Sequence, residues 1–204
     1  METALITILI DRGLYDEALS RLLEMPQNST VLNLEGFCHL ESKRYALARA
    51  CFTTAYSKAI EEKLNRKTLS KISNNIGATY YREGNYEKAI DYFTLALKHD
   101  PENARAEYNL AGAYFKLKKY EKSLEILLKT YKMNPREVEE RLSEEDAKLA
   151  LKAIVENCRD EKTVSTAKKI LAMLKKVDST TRKTPPGRGS QKRFRKVEKE
   201  VIKQ

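Results

Sequence analysis

The amino-acid sequence predicts an all-α fold in which similar helix pairs stack into a solenoid. Segment 70–103 carries two runs of apolar residues at helical spacing, separated by the short break Glu83-Gly84-Asn85. The same pattern returns 34 residues later, in segment 104–137. Small residues such as Gly77 and bulky residues such as Phe93 occupy positions where paired helices would touch. Self-similarity at a fixed period of this length is typical of repeat proteins.

The two segments correspond residue by residue. Asparagine, tyrosine and proline recur unchanged in the pairs Asn75 and Asn109, Tyr80 and Tyr114, Tyr86 and Tyr120, and Pro101 and Pro135. Compact residues replace one another in the pairs Gly77 and Ala111, Ala89 and Ser123, and Ala96 and Thr130. Because both the bulky and the compact positions are kept, we expect the two segments to form helix pairs of the same kind.

Segment 29–69 is predicted to form a longer helix pair. Its Gly36 matches Gly77 at a spacing of 41 residues, which exceeds the period of 34 by seven residues. A surplus of that size is worth about two helical turns. We therefore expect a lengthened second helix that ends near Lys63, and a lengthened start to the helix that follows it.

Helix pairs are also predicted at the two ends of the solenoid. Segment 1–28 reads as a short first repeat. Segment 143–177 reads as a capping pair: Ser143 followed by acidic residues is a plausible helix start, and residues 162–176 form a second apolar run. Such a pair is needed because the last regular repeat would otherwise expose its apolar face. The solenoid is thus expected to span residues 1–177.

The pattern in segment 70–103 resembles the tetratricopeptide repeat. The residues that carry the resemblance are Gly77, Tyr80, Gly84, Tyr86, Ala89, Phe93, Ala96 and Pro101. It implies a right-handed superhelix of antiparallel helix pairs, with the first helix of each pair lining a concave groove. It also implies a non-catalytic adaptor, scaffold or chaperone-like module that holds an extended peptide or a helix of another protein in that groove.

The groove-lining positions implied by this arrangement combine amides, cations and aromatic rings. They are Lys71, Asn74, Asn75, Tyr81, Arg82, Arg105, Tyr108, Asn109, Phe115 and Lys116. Asparagine can pair with a peptide backbone, the cations favour acidic groups, and the rings supply apolar anchors. The alternative is structural: the asparagines bond to a neighbouring helix and the cations form a solvated face.

A carboxylate clamp of the kind found in heat-shock co-chaperones of this family is not expected. Asn75 and Arg105 match positions of that clamp. However, Asn33, Phe37 and Asn109 stand where the clamp requires lysine, asparagine and arginine. A resemblance to the bacterial type III secretion chaperones extends to size and architecture alone.

Residues 178–204 are predicted to form a basic, disordered tail. The tail holds nine basic and three acidic residues, a net charge of nine minus three, or +6, out of +10 for the chain. The candidate polyanion-binding residues are Arg182, Lys183, Arg188, Lys192, Arg193, Arg195 and Lys196. Such a segment could bind nucleic acid, an acidic protein or a membrane surface, or serve only as a solubilising terminus. The alternative function is therefore a nucleic-acid-associated protein whose solenoid recruits partners.

The sequence offers no evident catalytic, metal or cofactor site. Its two histidines, His39 and His99, fall in different predicted repeats, and no glycine-rich phosphate loop is found. Three scattered cysteines argue against a disulfide framework and suggest a reducing compartment. No apolar run is long enough to cross a membrane, and we expect no secretory signal. We expect a cytoplasmic protein that is not an enzyme and needs no cofactor.

Overall fold

The computed structural model of the chain describes residues 2–133 and 144–181. Within these ranges the chain forms ten α-helices and no strand, so the predicted all-α class is confirmed. The helices are α1 (Glu2–Asp11), α2 (Tyr15–Leu23), α3 (Ser29–Glu41), α4 (Tyr45–Glu61), α5 (Arg66–Arg82), α6 (Tyr86–His99), α7 (Ala104–Lys116), α8 (Tyr120–Met133), α9 (Glu144–Asn157) and α10 (Glu161–Thr181).

The helices follow one another as pairs, and the turn inside each of the first four pairs has the same backbone geometry. The residue two places before the second helix has a positive φ in all four: 75° at Gly13, 59° at Lys43, 83° at Gly84 and 58° at Lys118. This left-handed conformation ends the first helix and reverses the chain. The shared turn gives the repeats a common structural register.

The predicted lengthening of the second repeat is observed. Helices α4 and α5 each contain 17 residues, whereas α7 contains 13 and α8 contains 14. Helix α4 ends at Glu61, two residues before the predicted end. The start of α5 is capped by the side chain of Asn65, which accepts a hydrogen bond from the Thr68 amide.

The chain divides into two compact units, with the boundary after Ala113 inside α7. In the first unit α1 packs on α2, α2 on α3, α3 on α4, α4 on α5 and α5 on α6. One apolar cluster joins the first two pairs and contains Ile6, Leu9, Ala18, Leu19, Leu22, Val31 and Cys38. The next contains Leu40, Ala48, Phe52, Ala55, Ala59, Ile72 and Ile76. The core is therefore a series of local clusters between consecutive helices, as expected of a solenoid.

The second unit has its own apolar core. That core contains Tyr120, Leu124, Leu151, Ile154, Ala167, Ile170 and Leu171. Helix α9 packs on α10, and α10 also contacts α8. Asp160 caps α10 by accepting a hydrogen bond from the Thr163 amide at 2.7 Å.

Two of the sequence predictions fall wholly or partly outside the described residues. Helix α10 continues to Thr181, so its backbone is helical for four residues past Val177, where the tail was expected to begin. Residues 182–204, which carry all seven candidate tail residues, lie outside the described ranges, as does the predicted capping residue Ser143.

Candidate functional site

The predicted groove positions of the first unit lie on α5 and α7, which together with α3 are the first helices of three successive repeats. Hydrogen bonds between asparagine side chains connect these helices in sequence. Asn75 Nδ2 on α5 donates to Asn33 Oδ1 on α3 at 3.0 Å, and Asn109 Nδ2 on α7 donates to Asn74 Oδ1 on α5 at 2.9 Å. We call these four residues the asparagine ladder.

The asparagine ladder follows the repeat register. Asn33 and Asn74 occupy equivalent positions 41 residues apart, and Asn75 and Asn109 occupy equivalent positions 34 residues apart. Each bond therefore has the same form, in which the donor belongs to one repeat and the acceptor to the repeat before it. The two bonds are those of the structural alternative stated for the sequence, in which the asparagines bond to a neighbouring helix, and both Asn75 and Asn109 are half-buried.

The ladder is more accessible at some positions than at others. Asn33, Asn75 and Asn109 are half-buried, whereas Asn74 is 4% exposed. In the described part of the chain, the bond to Asn33 is the one hydrogen bond of the Asn75 side chain. Since an asparagine side chain has two N–H groups and one carbonyl oxygen, Asn75 keeps one N–H and its carbonyl oxygen for another partner.

The cation Arg82 of the predicted groove is paired with an acidic residue of the preceding repeat. Its Nη1 and Nη2 atoms donate to the two carboxylate oxygens of Glu41, at 3.1 and 2.7 Å. This two-bond geometry is the strong form of an arginine–carboxylate pair. The positive charge on this side of α5 is therefore smaller than the sequence suggested, although Lys71 and Arg105 are exposed.

The aromatic ring of Tyr81 is largely used for packing within the first unit. The ring lies edge-on to Tyr86, with 5.3 Å between the ring centroids. Burial, with smaller contributions from the nearby Tyr86 and Tyr108 hydroxyls, raises the pKa of Tyr81 above its ordinary value. A Cβ atom at Gly112 would lie 3.6 Å from the Tyr81 hydroxyl, so the ring reaches from α5 to α7.

The remaining two candidates, Phe115 and Lys116, belong to the second unit. Phe115 packs partly buried against the core of that unit and lies edge-on to Tyr120, with 5.4 Å between the ring centroids. Lys116 is exposed. Eight of the ten predicted groove residues thus lie in the first unit.

The pKa values of the thiol and imidazole groups of the first unit are shifted mainly by burial. Burial raises the pKa of the Cys38 thiol to about 11, and burial also lowers the pKa of His39 and of His99. His99 Nε2 lies 2.8 Å from the hydroxyl of Tyr56. Among the described residues there is no group of three or more His, Cys, Asp or Glu side chains that could hold a metal ion. None of the described helices is both long and apolar enough to cross a membrane.

Sequence reasoning missed the roles of Asn33 and Glu41. These residues accept hydrogen bonds from Asn75 and Arg82. Asn33 was considered only as a mismatch to the carboxylate clamp. Its spacing of 41 residues from Asn74, which equals that of the Gly36 and Gly77 pair, was the signal that could have placed it in the ladder.

Family comparisons agree with the helical architecture. The family model described as the tetratricopeptide repeat protein 21 fourth ARM domain matches residues 72–199, and a tetratricopeptide repeat model matches residues 27–102. No curated protein matches the chain at a significant level.

Solved structures of similar architecture include a MamA RS-1 ArsTM double mutant, which is 20% identical with a TM-score of 0.64 over 88% of this chain and 95% of that one. The complex of the TPR2AB domain of yeast Sti1 with pHSP90 is 17% identical, with a TM-score of 0.44 over 100% of this chain and 97% of that one. The MamA likeness supports the fold, and the first family model covers more than half of the sequence. The chain therefore belongs to the tetratricopeptide repeat family.

Proposed function

We propose that the first unit is a non-catalytic protein-interaction module that holds an extended segment of another protein along α3, α5 and α7. The observation that carries this proposal is the asparagine ladder. Its bonds connect three successive first helices and hold the half-buried Asn75 and Asn109 side chains in place. A polar group that is already positioned loses little conformational entropy when a ligand binds to it.

The hydrogen-bonding capacity of Asn75 suits a peptide backbone. Each non-proline residue of a peptide offers one N–H donor and one carbonyl acceptor. Asn75 retains a carbonyl oxygen and one N–H beyond its bond to Asn33. One side chain can therefore accept a hydrogen bond from the peptide and donate one to it.

The charges near the ladder favour a segment with an acidic side chain. Lys71 is exposed and lies one helical turn before Asn75, on the same side of α5. Arg82 is already paired with Glu41, so its charge is largely compensated. The preference for acidic groups then depends mainly on Lys71, and we expect a local rather than a broad electrostatic contribution.

Peptide selection tests the proposal. Random 12-residue peptides are selected for binding to the full chain, and the affinity of the best binder is measured by isothermal titration calorimetry. We expect Asn75→Ala to weaken binding about fivefold or more, since one lost hydrogen bond is worth about 1 kcal/mol. The matched control is Thr94→Ala, at an exposed position of α6. Equal affinities of the wild type and Asn75→Ala would refute the proposal.

Two further variants separate contact from positioning. Asn33→Ala removes the same bond between helices but leaves the Asn75 side chain in place, so it should cost less affinity than Asn75→Ala. Lys71→Ala should weaken the binding of an acidic peptide, whereas Lys98→Ala, which removes an exposed lysine from the second helix α6, should not. Equal losses from the two lysine variants would mean that net charge, and not this face, determines affinity.

A further inference from the structure

Helix α1 has apolar residues on two sides, and only one side is covered. Ile6 and Leu9 face the core and are at most 9% exposed. Leu5 and Ile8 lie on the other side and are 39% and 48% exposed. We call the surface formed by Leu5, Ile8 and the adjacent Arg12 the outer face of α1.

The repeat register identifies the residues of the internal repeats that are equivalent to Leu5 and Ile8. They stand eight and five residues before the positive-φ turn at Gly13. The same two positions before the turns at Lys43 and Gly84 are occupied by Glu35 and Cys38, and by Ile76 and Thr79. All four of these equivalents are buried, with exposures of 7%, 0%, 2% and 0%.

The equivalent positions lie on helices that pack on the second helix of the preceding repeat. Helix α2 packs on α3, and Cys38 shares an apolar cluster with Ala18 and Leu22 of α2. Helix α4 packs on α5, and Ile76 shares the next cluster with Phe52 of α4. The outer face of α1 therefore continues a series of helix–helix interfaces, but among the described residues of the first unit no helix packs on it.

We propose that the outer face of α1 binds the same face of a second copy of this chain, with the two α1 helices antiparallel. Charge complementarity points to this occupant. Glu2 lies at the start of α1 and Arg12 directly after its end, and both are exposed. In an antiparallel pair Glu2 of each copy lies near Arg12 of the other, so the two-fold arrangement forms two opposite-charge contacts beside an apolar centre.

A head-to-tail contact with α10 of another copy fits less well. A preceding second helix would have to present apolar residues to Leu5 and Ile8. In its described part, α10 exposes Lys162, Ser165 and Lys168 instead. The self-complementary contact therefore matches the chemistry of the outer face better than a head-to-tail contact does.

Sedimentation equilibrium of the full chain tests the proposal. An interface of two short helices is small, so the concentration series should extend to about 1 mM. We expect a monomer–dimer equilibrium that Ile8→Lys weakens at least tenfold. The matched control is Leu23→Lys, which changes a 71% exposed leucine outside the outer face and should leave the association constant unchanged. A monomer at every concentration, or an equal effect of the two variants, would overturn the proposal.

Charge reversal provides a second, independent readout. Arg12→Glu and Glu2→Arg should each weaken self-association several-fold, because each puts like charges at both contacts. Mixing the two variants should restore association, since Glu2 then meets Arg12 at one contact and the introduced charges meet at the other. A mixture that associates no more than its separate components would overturn the antiparallel arrangement, even if the wild-type chain dimerises.

Discussion

Gly77 and Phe93 show how single residues determine the distance between the two helices of a repeat. A Cβ atom at Gly77 would lie 2.7 Å from Cδ1 of Phe93, and the same distance separates a Cβ at Gly36 from Phe52. Such approaches are too close for carbon atoms, so glycine allows the fully buried ring to lie against the first helix. The first repeat has Ile6 and Leu22 at the equivalent positions, both fully buried, so a larger first residue is matched with a smaller second one.

The first prediction is that Gly77 and Phe93 are energetically coupled. Gly77→Ala should destabilise the chain by about 1–3 kcal/mol through overpacking, although alanine is the better helix former. In a Phe93→Leu background, Gly77→Ala should destabilise the chain less, because leucine occupies less space than phenylalanine. The first repeat already combines a leucine, Leu22, with a first-helix residue larger than glycine, Ile6. Urea unfolding of the two single variants and the double variant gives the coupling energy. Strictly additive effects would contradict the proposed packing.

The second prediction concerns the pH dependence of stability through His99. Burial, followed by the nearby Arg66 guanidinium, lowers the pKa of His99 below its ordinary value of 6.5. Below that pH the unfolded chain takes up a proton more readily than the folded chain, so this contribution to stability is complete above pH 6.5 and falls as the pH decreases through the folded pKa. His99→Gln should therefore reduce the fall in melting temperature between pH 7.5 and pH 5.5. If the variant shows the same decrease in melting temperature as the wild type, His99 does not titrate differently in the folded and unfolded states.

At the residue scale, the sequence identified the asparagines but not their separate roles. Asn74 and Asn75 are neighbours, yet Asn74 accepts a hydrogen bond from the following repeat whereas Asn75 donates one to the preceding repeat. The two repeat spacings, 41 and 34 residues, must both be applied before these partners can be matched. Which of two adjacent amides is buried depends on how the repeats pack, and a single sequence does not contain that information directly.

At the element scale, the turn between paired helices accepts either glycine or lysine at its left-handed position. Lys43 and Lys118 adopt the positive φ that Gly13 and Gly84 adopt, and side chains in this conformation cost about 1–2 kcal/mol relative to glycine. A Cβ atom at Gly84 would have no heavy atom within 4 Å. The cost at these turns therefore comes from the backbone and not from crowding.

The third prediction is that exchanging residues at this turn changes stability in opposite directions. Gly84→Lys should destabilise the chain by about 1 kcal/mol. Lys43→Gly should stabilise it by a few tenths to about 1 kcal/mol, because relief of backbone strain exceeds the entropy that glycine adds to the unfolded chain. The two variants are a matched pair, because one replaces glycine by lysine and the other replaces lysine by glycine at the same position of the turn. Denaturation midpoints that shift in the same direction would contradict this account.

Helix ends were predictable where a turn residue or a cap marks them, and less so elsewhere. Segment lengths alone predicted the long α4 and α5, because a surplus of seven residues in a solenoid must lengthen helices or form a loop. The end of α10 was predicted at Lys176, but the helix continues to Thr181. Asp178, Ser179 and Thr180 are weak helix formers, yet none of them breaks a helix as proline does.

At the scale of the whole molecule, the period of the sequence predicted the fold but does not mark the division into two units after Ala113. In a repeat protein each helix pair contacts its neighbours, and the cooperativity of unfolding depends on the interfaces between neighbouring pairs. The repeat pattern continues through α7 without a change in composition. The pattern therefore does not encode where one unit ends and the next begins.

The fourth prediction separates the proposed protein-binding face from the basic C-terminal segment. Residues 182–204 contain nine basic and two acidic residues, so a chain that ends at Thr181 loses a net charge of nine minus two, or +7, of the total +10. If the C-terminal segment binds single-stranded RNA, the affinity of the full chain should fall steeply with salt and the truncated chain should bind at least tenfold more weakly, because each neutralised phosphate releases counterions.

The affinity of the truncated chain for a selected peptide should remain that of the full chain, since the proposed face lies on α3, α5 and α7. Fluorescence titrations of both chains with both ligands, at low and physiological salt, measure the two affinities in parallel. Loss of peptide binding on truncation would place part of that site in the C-terminal segment. Retention of RNA binding would instead place the RNA contacts on the helices, where Lys71 and Arg105 are exposed.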